Sequence, residues 1–193
     1  MDRQMKGALS GTLVVDLSRL LPGPYCSMIL ADHGARVIAV EDRRFEADVL
    51  PELSHINRNK EHMTLNLKSD QGLRVFRALV RKADVLLEGF RPGVTRRLNI
   101  DYEQMARLNP GIVYCSVTGY GQTGPLCSQA GHDVNFLGAS GLLSLIGFKG
   151  GPPCIPGVQI GDLAGGLYAA LGILLALASR RRTGRGQYVD VSM

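Results

Sequence analysis

The 193-residue sequence lacks features that mark several common classes of protein. It contains no tryptophan, and no strip of basic residues alternates with aromatic ones, as the stacking surface of a nucleic-acid binder would require. Lys and Arg outnumber Asp and Glu by 22 to 17, and the net charge of +5 suits an anionic partner but is too small to indicate nucleic acid. We therefore expect no nucleic-acid partner.

Two nucleotide-binding and hydrolase motifs are also missing, and a third is absent from the turn where a dinucleotide fold would place it. The turn SRLLPGPYCS, which follows the first apolar run, has one glycine and no GxGxxG pattern. This argues against NAD, even though Glu41 ends the second apolar run where a ribose-binding acid would lie. Neither a P-loop nor a GxSxG nucleophile elbow occurs.

Cysteine is scarce and dispersed. The four cysteines are Cys26, Cys115, Cys127 and Cys154. They form no CxxC pair and no histidines cluster near them, so the sequence predicts no metal site and favours reduced cytosolic thiols. The N-terminal stretch MDRQMKGALSG is polar and lacks the apolar segment of a signal peptide. Together these features predict a cytoplasmic protein.

One uncharged, mostly apolar stretch runs from Leu163 to Ala178. Its 16 residues fall short of the roughly 20 that a helix needs to cross a bilayer. Its many glycines and alanines are typical of a helix that packs closely against its neighbours. We therefore expect a helix buried on all sides within the protein, and no membrane partner.

The order of the other apolar runs predicts an α/β fold. GTLVVDLS (11–18) and RVIAVE (36–41) are predicted inner strands, joined by a helix that begins near Pro24 and ends at Gly34. A βαβ unit of buried runs favours a parallel sheet.

The rest of the chain continues this alternation of strands and helices. The further predicted elements are a strand in HMTLNLK, a helix in SDQGLRVFRALVRKA capped by Ser69, a strand in DVLLEGF, a short helix in DYEQMARLNPG, a strand in IVYCSVTGY, the apolar helix after Asp162 and a strand in YVDVSM. This order predicts a Rossmann-like domain with a mostly parallel sheet. Because the sequence ends inside a predicted strand, we expect residues 1–193 to be part of a larger domain.

Basic residues gather next to predicted strands. Arg58 and Lys60 come just before one strand, and Arg91 directly follows another in GFRPG, with Arg96 and Arg97 one turn later. In an open α/β sheet ligands bind at the carboxyl ends of the strands, and arginine side chains there suit phosphate. Any one of these residues is equally compatible with a solvated surface cation; the set together indicates a phosphate-bearing ligand.

His132 and Asp162 lie 30 residues apart in the glycine-rich stretches AGHDVN and IGDLAGG. Two such groups that face each other across a cleft can remove a proton from one face of a carbon and return one to the other. Gly165 and Gly166 would let an acyl group approach the backbone, whose N–H groups could stabilise an enolate oxygen. The structural alternatives are that Asp162 is the N-cap of the following helix and that His132 is a core residue bonded to backbone.

In series, these motifs resemble the class III CoA-transferase family, which also contains the alpha-methylacyl-CoA racemases. The segments that carry the resemblance are NRNK…LNLKSDQG, ADVLLEGFRPGV, GYGQTGP, GHDVNFL and GD…GG…TGRGQ. The resemblance implies an acyl-CoA enzyme with no prosthetic group, in which coenzyme A is part of the substrate. It also implies that two subunits interlock as a homodimer. Residues 1–193 would be the N-terminal part of the large Rossmann-like domain, without the small domain and the C-terminal return segment.

The resemblance gives Asp162 two competing roles. In the transferases the matching aspartate is a nucleophile that forms an aspartyl-CoA thioester. In the racemases it forms an acid–base pair with a histidine that matches His132. GHDVN is the racemase-like form of the motif, so we expect epimerisation at the α carbon of a 2-methylacyl-CoA. CoA transfer between carboxylic acids is the alternative, and a non-catalytic CoA-binding subunit is a second alternative.

The resemblance also implies a set of CoA-binding residues. These are Arg43, Arg58, Asn59, Lys60, Gly89, Phe90, Arg91 and Arg97. Phe90 and the backbone near Asn59 would frame the adenine and pantetheine groups, and the arginines would contact phosphates. Arg43 departs from the family pattern, because it follows the acidic end of the second strand one position later than usual.

Overall fold

A computed structural model describes residues 7–42 and 51–193 of the chain. Its six strands are β1 (Leu13–Asp16), β2 (Arg36–Glu41), β3 (Lys60–Thr64), β4 (Val85–Glu88), β5 (Val113–Thr118) and β6 (Tyr188–Ser192). Its α-helices are α1 (Pro22–Asp32), α2 (Asp70–Val80), α3 (Val94–Arg97), α4 (Tyr102–Leu108), α5 (Asp133–Ala139) and α6 (Ile160–Thr183). Short 3-10 helices lie at Pro51–Asn57 and Leu142–Leu145. The predicted α/β fold is confirmed.

All the strand pairs in the sheet are parallel, and the strand order is β3-β2-β1-β4-β5-β6. The strands near the centre are apolar on both faces because helices cover both faces. Val14 belongs to a core shared with α1 and α6, whereas its neighbour Val15 belongs to a core shared with α2 and α4. This alternation follows from the two-residue period of a strand.

The strand order reverses between β1 and β4. From β1 the chain builds outward through β2 and β3, then crosses back to β4 and builds the other half of the sheet. A reversal of this kind leaves a crevice beyond the carboxyl ends of the two central strands. The loops after β1 and β4 meet there: a Cβ atom placed on Gly89 would lie 3.7 Å from the Cβ of Ser18.

The predicted cap of α2 is confirmed. The backbone N–H of Gly72 donates to Oγ of Ser69 at 3.1 Å, which satisfies one of the free donors in the first helical turn. Phe76 and Val80 of this helix are buried against the sheet.

The prediction that helix α6 is buried on all sides is wrong. One face packs on α1 and on β5 and β6, but the opposite face is open to solvent. The exposed apolar residues of that face are Leu167, Tyr168, Leu171, Leu174 and Leu175. Most of the small residues that suggested close packing on every side, such as Gly166 and Ala169, lie on the buried inner face. Among the described residues α6 is the one helix long and apolar enough, by those two criteria, to cross a membrane.

Candidate active site

Helices α5 and α6 pack against each other and carry the two predicted catalytic residues at their starts. His132 is the residue that precedes α5, and Asp162 lies in the first turn of α6. A hydrogen bond links the two helix starts, because the backbone N–H of Asp162 donates to Oδ1 of Asp133 at 3.0 Å. The fold therefore brings together two residues that are 30 positions apart in the sequence.

The carboxyl group of Asp162 is not used to cap its helix. The N-cap of α6 is Gln159, and Asp162 is the third helical residue, so the N-cap alternative is wrong. Its backbone N–H, a donor without an intrahelical partner at the start of a helix, is satisfied by Asp133 instead. Within the described part of the chain, no hydrogen bond ends on the carboxyl oxygens of Asp162, so this group is available for chemistry.

Partial burial raises the pKa of Asp162 to about 6, because removal from water penalises the charged form. The negative charge of Asp133 contributes to this increase, and His132 opposes it. The start of a helix favours an ionised carboxylate and acts in the opposite direction. A carboxyl group of this kind holds its proton for part of the time at neutral pH, as a general acid must.

His132 presents an exposed imidazole beside Asp162. Its backbone N–H donates to Oδ1 of Asn135 at 2.9 Å, as part of a capping box that begins α5. The alternative of a core histidine is wrong, since the residue is exposed. The exposed ring is accessible to a substrate.

Gly165 and Gly166 do not form the predicted backbone surface for an acyl group. Both are buried inside α6, where their N–H groups belong to the helix. A Cβ atom on Gly166 would lie 2.6 Å from the carbonyl oxygen of Pro22, and one on Gly165 would lie 2.7 Å from Cγ of Met193. That prediction is wrong: these glycines let α6 approach α1 and the residue that follows β6.

At the crevice where the strand order reverses, β4 is directly followed by three of the predicted CoA-binding residues, Gly89, Phe90 and Arg91. Phe90 is held by its backbone N–H, which donates to Oε2 of Glu88 at 2.7 Å. Arg91 is exposed, as is Arg97 at the end of α3. Within the described ranges neither arginine pairs with a carboxylate, so both guanidinium groups are available to an anionic ligand.

The second group of predicted CoA-binding residues has protein partners. Arg58 and Asn59 both donate to Oδ1 of Asp32, at 3.1 and 2.8 Å. The ammonium group of Lys60 is 1% exposed; it donates to the carbonyl oxygen of Pro24 at 2.8 Å and lies 3.9 Å from Oδ2 of Asp16.

A phosphate would have to compete with Asp32 for Arg58, and the ammonium of Lys60 points into the protein. CoA binding by Arg58, Asn59 and Lys60 therefore stays a prediction. Arg43 lies outside the described residues.

Two further residues near the site were not identified from the sequence. Asp133 is next to His132 and is buried. The sequence feature that could have identified it is a charged residue directly before the mostly apolar segment VNFL. Glu88 ends the apolar strand VLLE and is 1% exposed. A carboxylate that continues an apolar strand was the signal here, because a buried carboxylate requires specific partners.

The sequence of this chain is similar to those of known proteins that share one family. The sequence profile of CoA-transferase family III matches residues 9–193. The chain is 46% identical over 187 residues to the alpha-methylacyl-CoA racemase of Homo sapiens, which covers 96% of this chain and 48% of that protein. It is 43% identical over 199 residues to the acetyl-CoA:oxalate CoA-transferase of Acetobacter aceti, covering 97% of this chain and 51% of the relative.

Among solved structures, a CAIB/BAIF family protein from Brucella suis superposes with a TM-score of 0.92 at 35% identity, over 97% of this chain and 53% of that one. The chain thus spans about half the length of the curated relatives it matches. Because the family profile covers nearly every residue, the chain belongs to CoA-transferase family III.

Proposed function

We propose that the protein epimerises the α carbon of a 2-methylacyl-CoA by removing and returning a proton through an enolate. The observation that carries this proposal is that the exposed imidazole of His132 lies near the carboxyl group of Asp162, which accepts no hydrogen bond from the described residues and whose pKa is raised to about 6. Such a pair can supply one base and one acid on opposite faces of a carbon.

In the forward direction, neutral His132 takes the α-proton of one epimer, and protonated Asp162 gives a proton to the opposite face of the enolate. The reverse direction exchanges these roles. Burial and the charge of Asp133 support this use of Asp162, because both favour its protonated form. The positive end of the α6 dipole favours the negative charge of the enolate oxygen.

The CoA part of the substrate would bind beyond β4. Phe90 would contact the nucleotide or pantetheine, and Arg91 and Arg97 would contact phosphates. The position of Phe90 and Arg91 directly after β4, and the lack of a carboxylate partner for either guanidinium group within the described residues, support this assignment.

CoA transfer is the second candidate function, and the unbonded state of the Asp162 carboxyl favours it too. Ionised Asp162 would attack the thioester carbonyl, and CoA thiolate would leave as the aspartyl mixed anhydride forms. Attack of CoA on the aspartyl carbonyl would then release the first carboxylate and give an aspartyl-CoA thioester. One of the similar relatives is named an acetyl-CoA:oxalate CoA-transferase.

The two chemistries are separated by incubation with a 2-methylacyl-CoA in deuterated water. The 193-residue chain is tested beside the same chain joined to the C-terminal half of the Homo sapiens racemase, because the relatives are about twice as long. We expect α-deuterium uptake without any CoA acceptor, and its loss by about 10²-fold or more in both His132→Ala and Asp162→Asn.

A different result would select another function. Acceptor-dependent CoA exchange without deuterium uptake, with an Asp162 adduct trapped by hydroxylamine, would identify a transferase. CoA binding with neither reaction in either preparation would identify a non-catalytic CoA-binding chain.

We also propose a homodimer, supported by the exposed apolar face of α6. Tyr168 is 67% exposed and Leu175 is 62% exposed, which is unusual for large apolar side chains on one helix face. Sedimentation of the wild-type chain and of Leu171→Asp tests this: a dimer that dissociates in the variant supports the assignment, and a wild-type monomer contradicts it.

A further inference from the structure

Glu88 carries a buried carboxyl group at the carboxyl end of a central strand of the sheet. It ends β4 at the crevice and directly precedes the loop Gly89–Phe90–Arg91. Oε2 accepts the backbone N–H of Phe90 at 2.7 Å, and Oε1 accepts the hydroxyl of Ser116 on β5. Both carboxyl oxygens are therefore bonded, one to the loop and one to the neighbouring strand.

The hydrogen bonds continue across the sheet. Oγ of Ser116 accepts the hydroxyl of Tyr188 on β6 at 3.0 Å. The Tyr188 ring stacks on Tyr102 with a centroid distance of 5.2 Å and packs against Tyr114 at 5.7 Å. Each hydroxyl donates toward Glu88, so an ionised Glu88 is the final acceptor of a chain that spans three strands.

The contact with Phe90 addresses a specific need of the backbone. Where a chain leaves a strand, its N–H groups lose their partners in the sheet and must be satisfied in another way when they are buried. Here a side chain two residues earlier supplies the acceptor. This contact fixes the backbone between β4 and the loop that presents Phe90 and Arg91.

A purely structural role would be better filled by an apolar side chain. Replacing a buried charge with well-packed apolar groups is often neutral or stabilising. The pKa of Glu88 is raised to about 7, mainly by burial and also by the charge of Asp190, against the hydrogen bonds from Ser116 and Phe90, which favour the ionised form. A group kept at this energetic cost, with one oxygen on the loop backbone, is typical of a positioning role.

We propose that Glu88 is a positioning residue for the acyl-CoA substrate, which sets the direction of Phe90 and Arg91 by holding the Phe90 N–H. The inference rests on the proposed CoA-binding role of this loop. Glu88 does not itself touch the substrate. Its action depends on where its carboxyl oxygen lies and not on its charge.

The test compares two variants of the 193-residue chain that separate position from charge. Glu88→Gln keeps an acceptor oxygen at the same reach and removes the charge. Glu88→Asp keeps the charge and withdraws the oxygen by one methylene. We expect free CoA to bind Glu88→Gln within about threefold of wild type, and Glu88→Asp about tenfold more weakly, because the partly buried Phe90 N–H then loses its acceptor.

Amide hydrogen exchange at Phe90 provides a second measurement that does not depend on a variant that folds poorly. The Phe90 amide is expected to be protected in the wild type and in Glu88→Gln, and to exchange faster in Glu88→Asp. In an active assembly, Glu88→Asp should raise KM with little change in kcat, a separation that general destabilisation would not produce.

Several outcomes would overturn the proposal. Equal CoA affinity in all three proteins, a larger loss in Glu88→Gln than in Glu88→Asp, or an unprotected Phe90 amide in the wild type would each do so. A wild-type chain that does not bind CoA would instead contradict the proposed function of the loop, so the two failures are distinguishable.

Discussion

The fold places carboxyl groups in two regions of the same sheet edge and surrounds them differently. At the ends of β1 and β4, Asp16 and Glu88 are buried and hydrogen-bonded through both oxygens. At the start of α6, Asp162 is partly buried, and within the described residues its carboxyl oxygens accept no hydrogen bond. The first region organises loops, whereas the second leaves a carboxyl group free to react.

Asp16 shows how completely the first region is satisfied. It accepts the backbone N–H of Ser18 at 2.8 Å and the hydroxyls of Ser18 and Ser27, and it lies 3.9 Å from the ammonium of Lys60. Partners of this number stabilise a buried charge. Among the described residues nothing donates to the carboxyl group of Asp162, and its charged form is opposed by burial and by Asp133.

The largest expected effect comes from removing the bonded carboxylate of Asp16. Asp16→Ala leaves the buried ammonium of Lys60 without its counter-charge, and we expect a loss of about 3–5 kcal/mol in the free energy of unfolding. Urea unfolding of the 193-residue chain measures it. Asp162→Asn is the matched control and should not destabilise the chain at neutral pH. Similar losses in the two variants would remove the distinction between the regions.

A smaller effect is expected where α6 is held against α1. Gly166→Ala places a Cβ atom 2.6 Å from the carbonyl oxygen of Pro22, and such overpacking costs about 1–3 kcal/mol. Gly138→Ala in α5, where a Cβ atom would meet nothing within 4 Å, is the control and should gain roughly 0.5–1 kcal/mol. Thermal unfolding of both variants checks the pair, and a neutral Gly166→Ala would show that the helices can separate freely.

The pH dependence of stability gives a third test. The folded-state pKa of Asp162, about 6, lies above its ordinary value of 3.8, so the folded state holds this proton more tightly. Its contribution is fully present below about pH 4 and is lost as the pH rises through about 6. Over this pH window the free energy of unfolding should fall by about 1 kcal/mol less in Asp162→Asn than in the wild type, a figure that allows for solvent screening. An unchanged slope would contradict the raised pKa.

The smallest expected effect concerns the influence of Asp133 on its neighbour. Asp133→Asn removes the negative charge but retains an oxygen that can accept the N–H of Asp162. The pKa of Asp162 should fall, because the repulsion that raises it is lost. Titration of the Asp162 carboxyl carbon by NMR measures the change. A pKa that stays constant or rises would show that burial alone sets it.

The sequence predicted the strands well, because apolar runs such as RVIAVE in β2 match elements buried on both faces. It also predicted that His132 and Asp162 belong together, through motif resemblance. The exposed outer face of α6 could not be predicted, since an apolar helix has the same composition whether its outer face is covered or open.

The contacts of Lys60 and Glu88 were beyond sequence reasoning for a different reason. Each depends on which strands become neighbours: Lys60 reaches Asp16 across β2, and Glu88 reaches Ser116 on β5. A lysine beside a strand looks the same whether its ammonium faces solvent or a buried carboxylate. Only the strand order decides, and periodicity carries no information about that order.

The glycines on the inner face of α6 have a consequence for how this protein can diversify. At Gly166 the distance between α6 and α1 is limited by the backbone carbonyl of Pro22, and changing a side chain cannot relieve that contact. The close contact at the inner face therefore fixes the position of α6 and, with it, the position of Asp162. The outer face, with Leu171 and Leu175, carries no such limit. Tolerance to substitution along α6 should rise and fall with the helical period, so its outer surface can adapt to different neighbours while the reacting carboxyl stays in place.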